Sequence, residues 1–195
     1  MIRVITGPMF SGKSARLIQI AMMYMAIDKG VRLECFKPSK DIRDKSYLKS
    51  RETSTRIEAK VVKSFEEIKE KKEKGTKIII IDEAQFLEGN YLILEELSRK
   101  GYIIYVGGLR TTSEMQPFGK MCEIMSIADE IEILKARCEI CGEEAEYTAC
   151  KISKSEGTLI GDKDKYYPIC RKCLNEEEER YEKIWESERI WRTRF

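Results

Sequence analysis

The stretch GPMFSGKS, residues 7 to 14, decides which fold this chain is expected to adopt. Gly7 and Gly12 enclose four residues and are followed by Lys13 and Ser14, which is the G-x-x-x-x-G-K-[ST] spacing of a P-loop. Glycines let backbone N–H groups turn inward around a phosphate, the lysine can reach the outer phosphates, and the serine hydroxyl can ligate Mg²⁺. The predicted phosphate cradle consists of Gly7, Pro8, Met9, Phe10, Ser11, Gly12, Lys13 and Ser14.

The residues on either side of this loop support the same interpretation. IRVIT, residues 2–6, predicts a short buried strand, and KSARLIQIAMMYMAI, residues 13–27, predicts a helix whose N-terminus attracts anions. The alternative is a chance glycine-rich turn. That alternative is disfavoured because strand, loop and helix follow one another in register.

Strands and helices alternate along the rest of the first 136 residues. Further strands are predicted at 31–38, 57–62, 77–83, 102–109 and 130–136, and helices at 64–75, 91–100 and 118–129. The polar stretch 39–56 predicts a mobile loop. This alternation predicts an α/β fold, a P-loop NTPase-type parallel sheet flanked by helices. A change to Cys-, Gly- and Lys-rich sequence after Ala136 predicts three units: 1–136 for ATP, 137–174 for zinc, and a helical tail at 175–195.

A run of four isoleucines ends in Asp82 and Glu83, which predicts a strand buried on both faces with two carboxylates at its carboxyl end. Asp82 fits the residue that helps to hold Mg²⁺ in P-loop proteins. Glu83 could take a proton from a substrate hydroxyl, as in a kinase, or orient a water, as in an ATPase. An acidic strand end that merely caps the next helix is the structural alternative. The pair alone does not separate these possibilities.

Composition narrows the classes of function. The 195 residues are 42% hydrophobic and 36% charged with a net charge of +2, so no broad basic face for nucleic acid is expected. No apolar run approaches a membrane span, and the chain opens directly with a strand, so we expect a cytoplasmic protein without a membrane partner. The chain has no histidine, so a general base must be a carboxylate, lysine or cysteine.

Two C-x-x-C pairs predict a tetrahedral metal centre with four thiolate ligands. The predicted structural zinc site consists of Cys138, Cys141, Cys170 and Cys173. Four unligated thiols and a redox dithiol are the weaker alternatives, because a thioredoxin-type motif needs only one pair. Cys35, Cys122 and Cys150 are unpaired in the sequence and are predicted to be small apolar core residues.

The motifs taken together resemble the zinc-containing, type II thymidine kinase family over about residues 1–174. The residues that carry the resemblance are GPMFSGKS (7–14), KDIR (40–43), DEAQFL (82–87), GGLR (107–110), PFG (117–119) and the cysteine pairs enclosing IGDKDKYYPIC (160–170). The resemblance implies transfer of a phosphoryl group from ATP·Mg²⁺ to the 5′-hydroxyl of thymidine, and also of deoxyuridine. It also implies a structural Zn²⁺, a homotetramer, and inhibition by the end-product triphosphate.

The resemblance also assigns roles to individual residues. Glu83 becomes the catalytic base, with Lys13 and Arg43 as the other catalytic residues, and Ser14 and Asp82 become the magnesium ligands. Asp41, Arg43, Asp82 and Gln85 join the P-loop in binding the nucleotide. The implied nucleoside pocket is Met9, Phe86, Leu109, Ser113, Phe118 and Thr148, closed by a lasso of Gly157, Thr158, Leu159, Ile160, Gly161 and Tyr166. Zinc would anchor this lasso as a lid, although each pocket residue taken singly could be core packing.

The sequence departs from the family pattern at several positions. Ser113 stands where the family generally has an aromatic residue against the nucleoside, and Asp162 and Lys163 stand in the lasso where two glycines are common. We therefore expect weak thymidine affinity or a different base. The segment after Cys173 is predicted to form an extra helix that packs on the domain or on a neighbouring subunit, with a solvated charged helix as the alternative.

Two rival functions remain open at this stage. One is a P-loop ATPase in which Glu83 activates water, which would turn over ATP without any nucleoside. The other is a divergent nucleotide-binding protein with altered or lost kinase activity, which the change at Ser113 would allow. The near-neutral charge argues against a nucleic-acid-binding version of the second rival.

Overall fold

The computed structural model describes residues 1–41, 46–49, 55–151 and 165–177. Its main sheet has seven strands in the order β3-β4-β2-β5-β6-β1-β7. The strands are β1 (Ile2–Thr6), β2 (Leu33–Pro38), β3 (Tyr47–Lys49), β4 (Arg56–Val62), β5 (Ile78–Ile81), β6 (Ile103–Gly108), β7 (Glu130–Ile133), β8 (Ala136–Arg137), β9 (Glu144–Ala145), β10 (Tyr147–Cys150) and β11 (Tyr166–Ile169). The helices are α1 (Lys13–Ile27), α2 (Phe65–Lys71), α3 (Leu92–Arg99) and α4 (Met121–Ser126), with a 3₁₀ turn at Ala84–Phe86.

The predicted parallel α/β sheet is confirmed. Every pairing in the main sheet is parallel except that of β3 with β4. The four isoleucines of β5 are all buried, because Ile79 and Ile81 pack into the core on one face and Ile78 and Ile80 into the core on the other. Burial on both faces explains why this strand carries no alternating polar residue.

Helix α1 begins at Lys13, as the P-loop motif predicts. Gly12, just before it, has φ 84°, a left-handed conformation that is costly for a residue with a side chain. The helix buries Leu17 and Ala21 in the core on its face of the sheet. This packing aims the N-terminus of α1 at the carboxyl end of β1.

Several predicted boundaries were wrong. The stretch predicted as a loop contains β3, because Leu48 is buried in the core with α1, and a single apolar residue in a polar stretch leaves little periodic signal. Helix α2 ends at Lys71 rather than at Gly75, because Lys72 is already extended. Helix α4 begins at Met121 instead of residue 118.

The segment 130–136, predicted as one strand, is also divided in the structure. Strand β7 ends at Ile133, and Ala136 belongs to the separate hairpin of β8 and β9. The prediction that all three unpaired cysteines are core residues holds only for Cys35, which is buried. Cys122 is exposed on α4 and Cys150 is half-buried.

The cysteine-rich part of the chain, here called the cysteine module (136–151 and 165–177), has its own small core. It is built from the hairpin β8–β9, the two-stranded sheet β10–β11 and a helix at 171–177. The buried residues that pack together in this core are Cys138, Ala145, Tyr147, Ala149, Tyr167, Ile169, Cys173 and Leu174. Within the described ranges, no helix combines the length and the apolar character that crossing a membrane requires.

Candidate active site

The candidate site lies where the carboxyl ends of β1, β5 and β6 meet. Parallel register aligns Thr6 with Gly108, and the Thr6 hydroxyl donates to the Gly108 carbonyl oxygen at 2.9 Å. Strand β5 lies beside β6 and ends just before Asp82. Ligands of open α/β sheets bind at this edge, so the topology brings the P-loop and the two carboxylates together.

The P-loop curls around the side chain of Lys13. Its buried ammonium group donates to the carbonyl oxygens of Gly7 at 3.1 Å and Pro8 at 2.7 Å. A Cβ on Gly7 would lie 2.3 Å from the Leu134 carbonyl oxygen and 2.7 Å from the Ser11 hydroxyl, so only glycine fits there. That Ser11 hydroxyl is buried and has no hydrogen-bond partner among the described residues. A buried cation and an unpaired buried hydroxyl fit a phosphate cradle.

Ser14 and Asp82 form a compact pair of oxygen donors. The Ser14 hydroxyl donates to Asp82 Oδ2 at 2.7 Å, which joins the start of α1 to the end of β5. Burial, and then the charge of Glu83, raise the pKa of Asp82 to about 6, against the opposing effects of Ser14 and Lys13. A hydroxyl and a carboxylate suit Mg²⁺, which prefers oxygen ligands. These two residues therefore fit the role predicted for them.

Glu83 has a backbone conformation that is uncommon for its residue type. Its φ is 52° and ψ is 38°, in the left-handed region, at the turn between β5 and the 3₁₀ turn. Its N–H donates to Asp82 Oδ1 at 3.0 Å, and its half-buried carboxylate accepts from Gln85 Nε2 at 2.6 Å. Such strained conformations concentrate at functional sites, which favours a chemical role for Glu83 over helix capping.

Aromatic side chains lie next to these carboxylates. The rings of Phe86 and Phe118 meet edge to face, with centroids 5.3 Å apart. The Leu109 N–H donates to Gln85 Oε1 at 3.1 Å, and the Phe118 N–H donates to the Arg110 carbonyl oxygen. Phe118 is half-buried in the loop before α4, so the alternative that it begins a core helix was wrong.

A hydrogen bond joins the cysteine module to the P-loop: the Met9 N–H donates to Thr148 Oγ1 at 2.9 Å. Thr148 lies on β10 and Tyr166 on the paired strand β11, and both are buried. The register places them on the face of the two-stranded sheet opposite the one that supplies Tyr147 and Tyr167 to the module core. Thr148 and Tyr166 thus share one face of this sheet, and Thr148 contacts Met9; that the three residues line a nucleoside pocket stays a prediction.

The four cysteines predicted as metal ligands come together. The Sγ atoms of Cys138, Cys141, Cys170 and Cys173 all lie within 4.8 Å of one another. Cys138 and Cys141 flank the turn after β8, and Cys170 and Cys173 lie at the start of the helix 171–177. Four thiols and no nitrogen or oxygen donor suit zinc in a closed, structural site.

The remaining predicted residues divide into two groups. Ser113 is half-buried in the loop 111–117, where Thr111 and Pro117 form an isolated bridge. The other group lies outside the described residues: Arg43, the lasso residues Gly157, Thr158, Leu159, Ile160, Gly161, Asp162 and Lys163, and the tail beyond residue 177.

Sequence reasoning missed Lys37, at the carboxyl end of β2. Its ammonium group lies 3.0 Å from Asp41 Oδ2, and the two side chains are only 5% and 7% exposed. Among the ion pairs of the described ranges, it is the one in which both partners are this deeply buried. A lysine inside the apolar strand LECFKP was the available signal, since an isolated buried charge requires a partner.

Comparison with known proteins agrees with this arrangement. The family model described as thymidine kinase matches residues 1–174. Thymidine kinase of Mesomycoplasma hyopneumoniae (strain 7448) is 34% identical over 175 residues, covering 89% of this chain and 94% of that protein. Thymidine kinase 1 of Dictyostelium discoideum is 32% identical over 182 residues, covering 91% of this chain and 78% of that one.

Among solved structures, domain III of the Thermotoga maritima replication initiation protein DnaA superposes with a TM-score of 0.42 at 20% identity. The superposition covers 68% of this chain and 54% of that chain, a likeness too distant to bear on function. The family model and the two kinases, by contrast, span nearly all of the chain. The chain belongs to the thymidine kinase family.

Proposed function

We propose that this protein is a thymidine kinase that transfers the γ-phosphate of ATP to the 5′-hydroxyl of thymidine, or of a related pyrimidine deoxynucleoside such as deoxyuridine. The observation that carries the proposal is the position of Glu83. Glu83 directly follows Asp82, which accepts from Ser14 at the end of the P-loop, and its carboxylate is held by Gln85, whose side-chain oxygen bonds the Leu109 backbone. A base between a phosphate cradle and an aromatic pocket suits phosphoryl transfer to a bound alcohol.

The residues have separate roles in the proposed reaction. Lys13 and the P-loop N–H groups hold the phosphates, and Ser14 with Asp82 would hold Mg²⁺, which when bound neutralises phosphate charge. Glu83 takes the proton as the 5′-oxygen bonds to the γ-phosphorus and the bond to the β–γ bridging oxygen breaks, releasing ADP. By family resemblance, Arg43 and Asp41 are assigned to the 5′ side of the nucleoside, where the phosphate is received. Gln85 is assigned to contact with the nucleotide.

Substrate recognition is assigned to the aromatic pocket. Phe86 and Phe118 would pack against the flat pyrimidine ring, since their rings already meet beside Leu109. Thr148 and Tyr166 would line the opposite wall, and the lasso 157–161 would cover it. A covered pocket excludes water, which would otherwise compete for the phosphoryl group.

The test is ATP consumption with each nucleoside in turn, and with none, in the wild type, Glu83→Gln and Glu88→Gln. Glu88 is the matched control because it lies on the same segment and its exposed carboxylate pairs with Lys40. We expect turnover that requires thymidine or deoxyuridine, falls by roughly 100-fold or more in Glu83→Gln and is unchanged in Glu88→Gln. Turnover without nucleoside would instead favour an ATPase, and no turnover at all a divergent nucleotide-binding protein.

Other expectations from the sequence stay predictions. The homotetramer, the end-product inhibition, the cytoplasmic location and the absence of a nucleic-acid partner follow from family resemblance or composition. The division of the chain at residues 136 and 174 is likewise a prediction. The zinc assignment is the best supported of these expectations, because the donor set is complete and made only of thiols.

A further inference from the structure

We propose that Gln85 is a positioning residue that holds the carboxylate of Glu83 in place. It joins that carboxylate to the backbone of the loop after β6, residues 109–117, here called the nucleoside loop. The inference rests on the proposed function, in which Glu83 is the base. It differs from the role that family resemblance assigns to Gln85, which is direct contact with the nucleotide.

The side chain of Gln85 is bonded at both ends. Nε2 donates to Glu83 Oε2 at 2.6 Å, while Oε1 accepts from the Leu109 N–H at 3.1 Å. Because the carboxylate needs a donor and the backbone N–H needs an acceptor, only this orientation of the amide satisfies both partners. Gln85 is 3% exposed, so water cannot easily replace either bond.

Two glycines make room for this bridge. A Cβ on Gly108 would lie 2.7 Å from Gln85 Oε1, and a Cβ on Gly119 would lie 2.0 Å from the Gln85 carbonyl oxygen. Gly119 also has φ 54°, a conformation that favours glycine. The glycine of the GGLR motif thus leaves the space that the Gln85 side chain fills, and the glycine of the PFG motif allows a close approach to the Gln85 backbone. Three separate motifs therefore meet at one residue.

The bridge connects the base to the substrate site. Glu83 has a left-handed backbone and a half-buried side chain, and the hydrogen bond from Gln85 restrains the orientation of its carboxylate. Leu109 lies on the loop that supplies the nucleoside pocket, so the bridge fixes the distance between the base and that loop. A misplacement of about 1 Å in such a geometry can lower a rate by roughly 100-fold.

The test is a double-mutant cycle with wild type, Glu83→Gln, Gln85→Met and the double variant, measured as kcat and as the KM for ATP. Methionine has nearly the length of glutamine and cannot hydrogen-bond in the same way. Gln116→Met is the matched control, because Gln116 is exposed in the loop 111–117 and its side-chain amide donates to the neighbouring Glu114 carbonyl oxygen.

We expect Gln85→Met to lower kcat by roughly 10- to 100-fold while the KM for ATP changes by less than about twofold. In the Glu83→Gln background, the same substitution should change kcat by less than about threefold, because the base it positions is absent. Equal effects in both backgrounds, or a KM for ATP raised by roughly tenfold, would overturn the inference and favour nucleotide contact.

Amide hydrogen exchange at Leu109 keeps the inference testable if the wild type phosphorylates no nucleoside. In that case the proposed function fails by itself. Gln85→Met should still speed exchange at Leu109 by roughly fivefold or more, since the N–H loses its acceptor, and Gln116→Met should not. An unchanged exchange rate at Leu109 would show that Gln85 does not accept from its N–H, and the inference would be overturned.

Discussion

The main sheet and the cysteine module are stabilised in different ways. The sheet is covered on its two faces by cores of sixteen and eleven buried residues, nearly all aliphatic or aromatic. The module has eight, and two of them are cysteines of the proposed zinc site. Apolar burial can hold the sheet together, whereas so small a core needs a metal. The comparison teaches that the proposed catalytic part and the proposed substrate-covering part of the site are stabilised by different physical interactions.

Within the described residues, several contacts join the two regions, among them Arg110 over the Tyr147 ring. The Met9–Thr148 hydrogen bond joins the P-loop to β10, and Met115 from the loop 111–117 packs against the module core. The substrate pocket is proposed to lie between them. Substitutions in the main sheet, in the cysteine module or at their junction therefore show how much each region contributes to stability, binding and activity.

Metal removal should have the largest effect. Cys173→Ser, or chelation of zinc, should unfold the module and lower kcat/KM for the nucleoside by roughly 100-fold or more. The main sheet should remain folded, as monitored by circular dichroism, and Cys122→Ser is the control because Cys122 is exposed and outside the cluster. Loss of the whole fold on chelation would contradict the independence of the two regions.

Next in size is the buried ion pair of the sheet. Lys37→Met should lower the free energy of unfolding by about 3–5 kcal/mol, because it removes the ammonium group that lies 3.0 Å from the buried Asp41 carboxylate. Lys40→Met breaks the exposed pair with Glu88 and should cost no more than about 1 kcal/mol. Denaturant unfolding measures both, and equal small effects would show that Asp41 is solvated in solution.

The pH dependence of stability tests the raised pKa of Asp82, at the edge of the sheet that carries the candidate site. Its pKa is raised from 3.8 to about 6 in the folded protein, so the folded state holds the extra proton between those values. The contribution of the Asp82 carboxyl to the free energy of unfolding therefore falls as the pH rises through that window. Above the window this decrease is complete. In EDTA, Asp82→Asn should be more stable than wild type by about 1–3 kcal/mol at pH 7.5, with the difference vanishing below pH about 4. Equal stability at both pH values would contradict a raised pKa.

A substitution at the junction between the P-loop and the cysteine module should have a smaller effect. Thr148→Val removes the acceptor of the Met9 N–H with little change in volume, so we expect a loss of about 1 kcal/mol in ATP binding free energy measured by calorimetry. Ser39→Ala, at an exposed position, is the control. If binding is unchanged, the P-loop does not depend on the module.

The smallest expected effect is at Ser113. Ser113→Phe restores an aromatic contact in the nucleoside loop and should lower the KM for thymidine by about 2- to 10-fold, since such contacts contribute about 0.5–1.5 kcal/mol. Glu114→Phe, at the exposed neighbouring position, should not. An unchanged KM in Ser113→Phe would contradict the account of weak thymidine affinity.

The sequence by itself determined the P-loop, the helix that begins at Lys13, the fully apolar strand before Asp82 and the four-cysteine cluster. Each of these depends on local spacing or on periodic burial, which a sequence records directly. The fold class and the family followed from them.

Only the tertiary structure decided which side chains meet. The Lys37–Asp41 pair, the bridge from Gln85 to Leu109 and the bond from Met9 to Thr148 join residues whose contact depends on folding. The last two bonds span 24 and 139 residues of sequence. Strand β3 escaped prediction for a related reason, since Leu48 is buried only because α1 covers it. Spacing along the chain carries no record of such contacts, which arise when parallel strands bring their carboxyl ends to one edge.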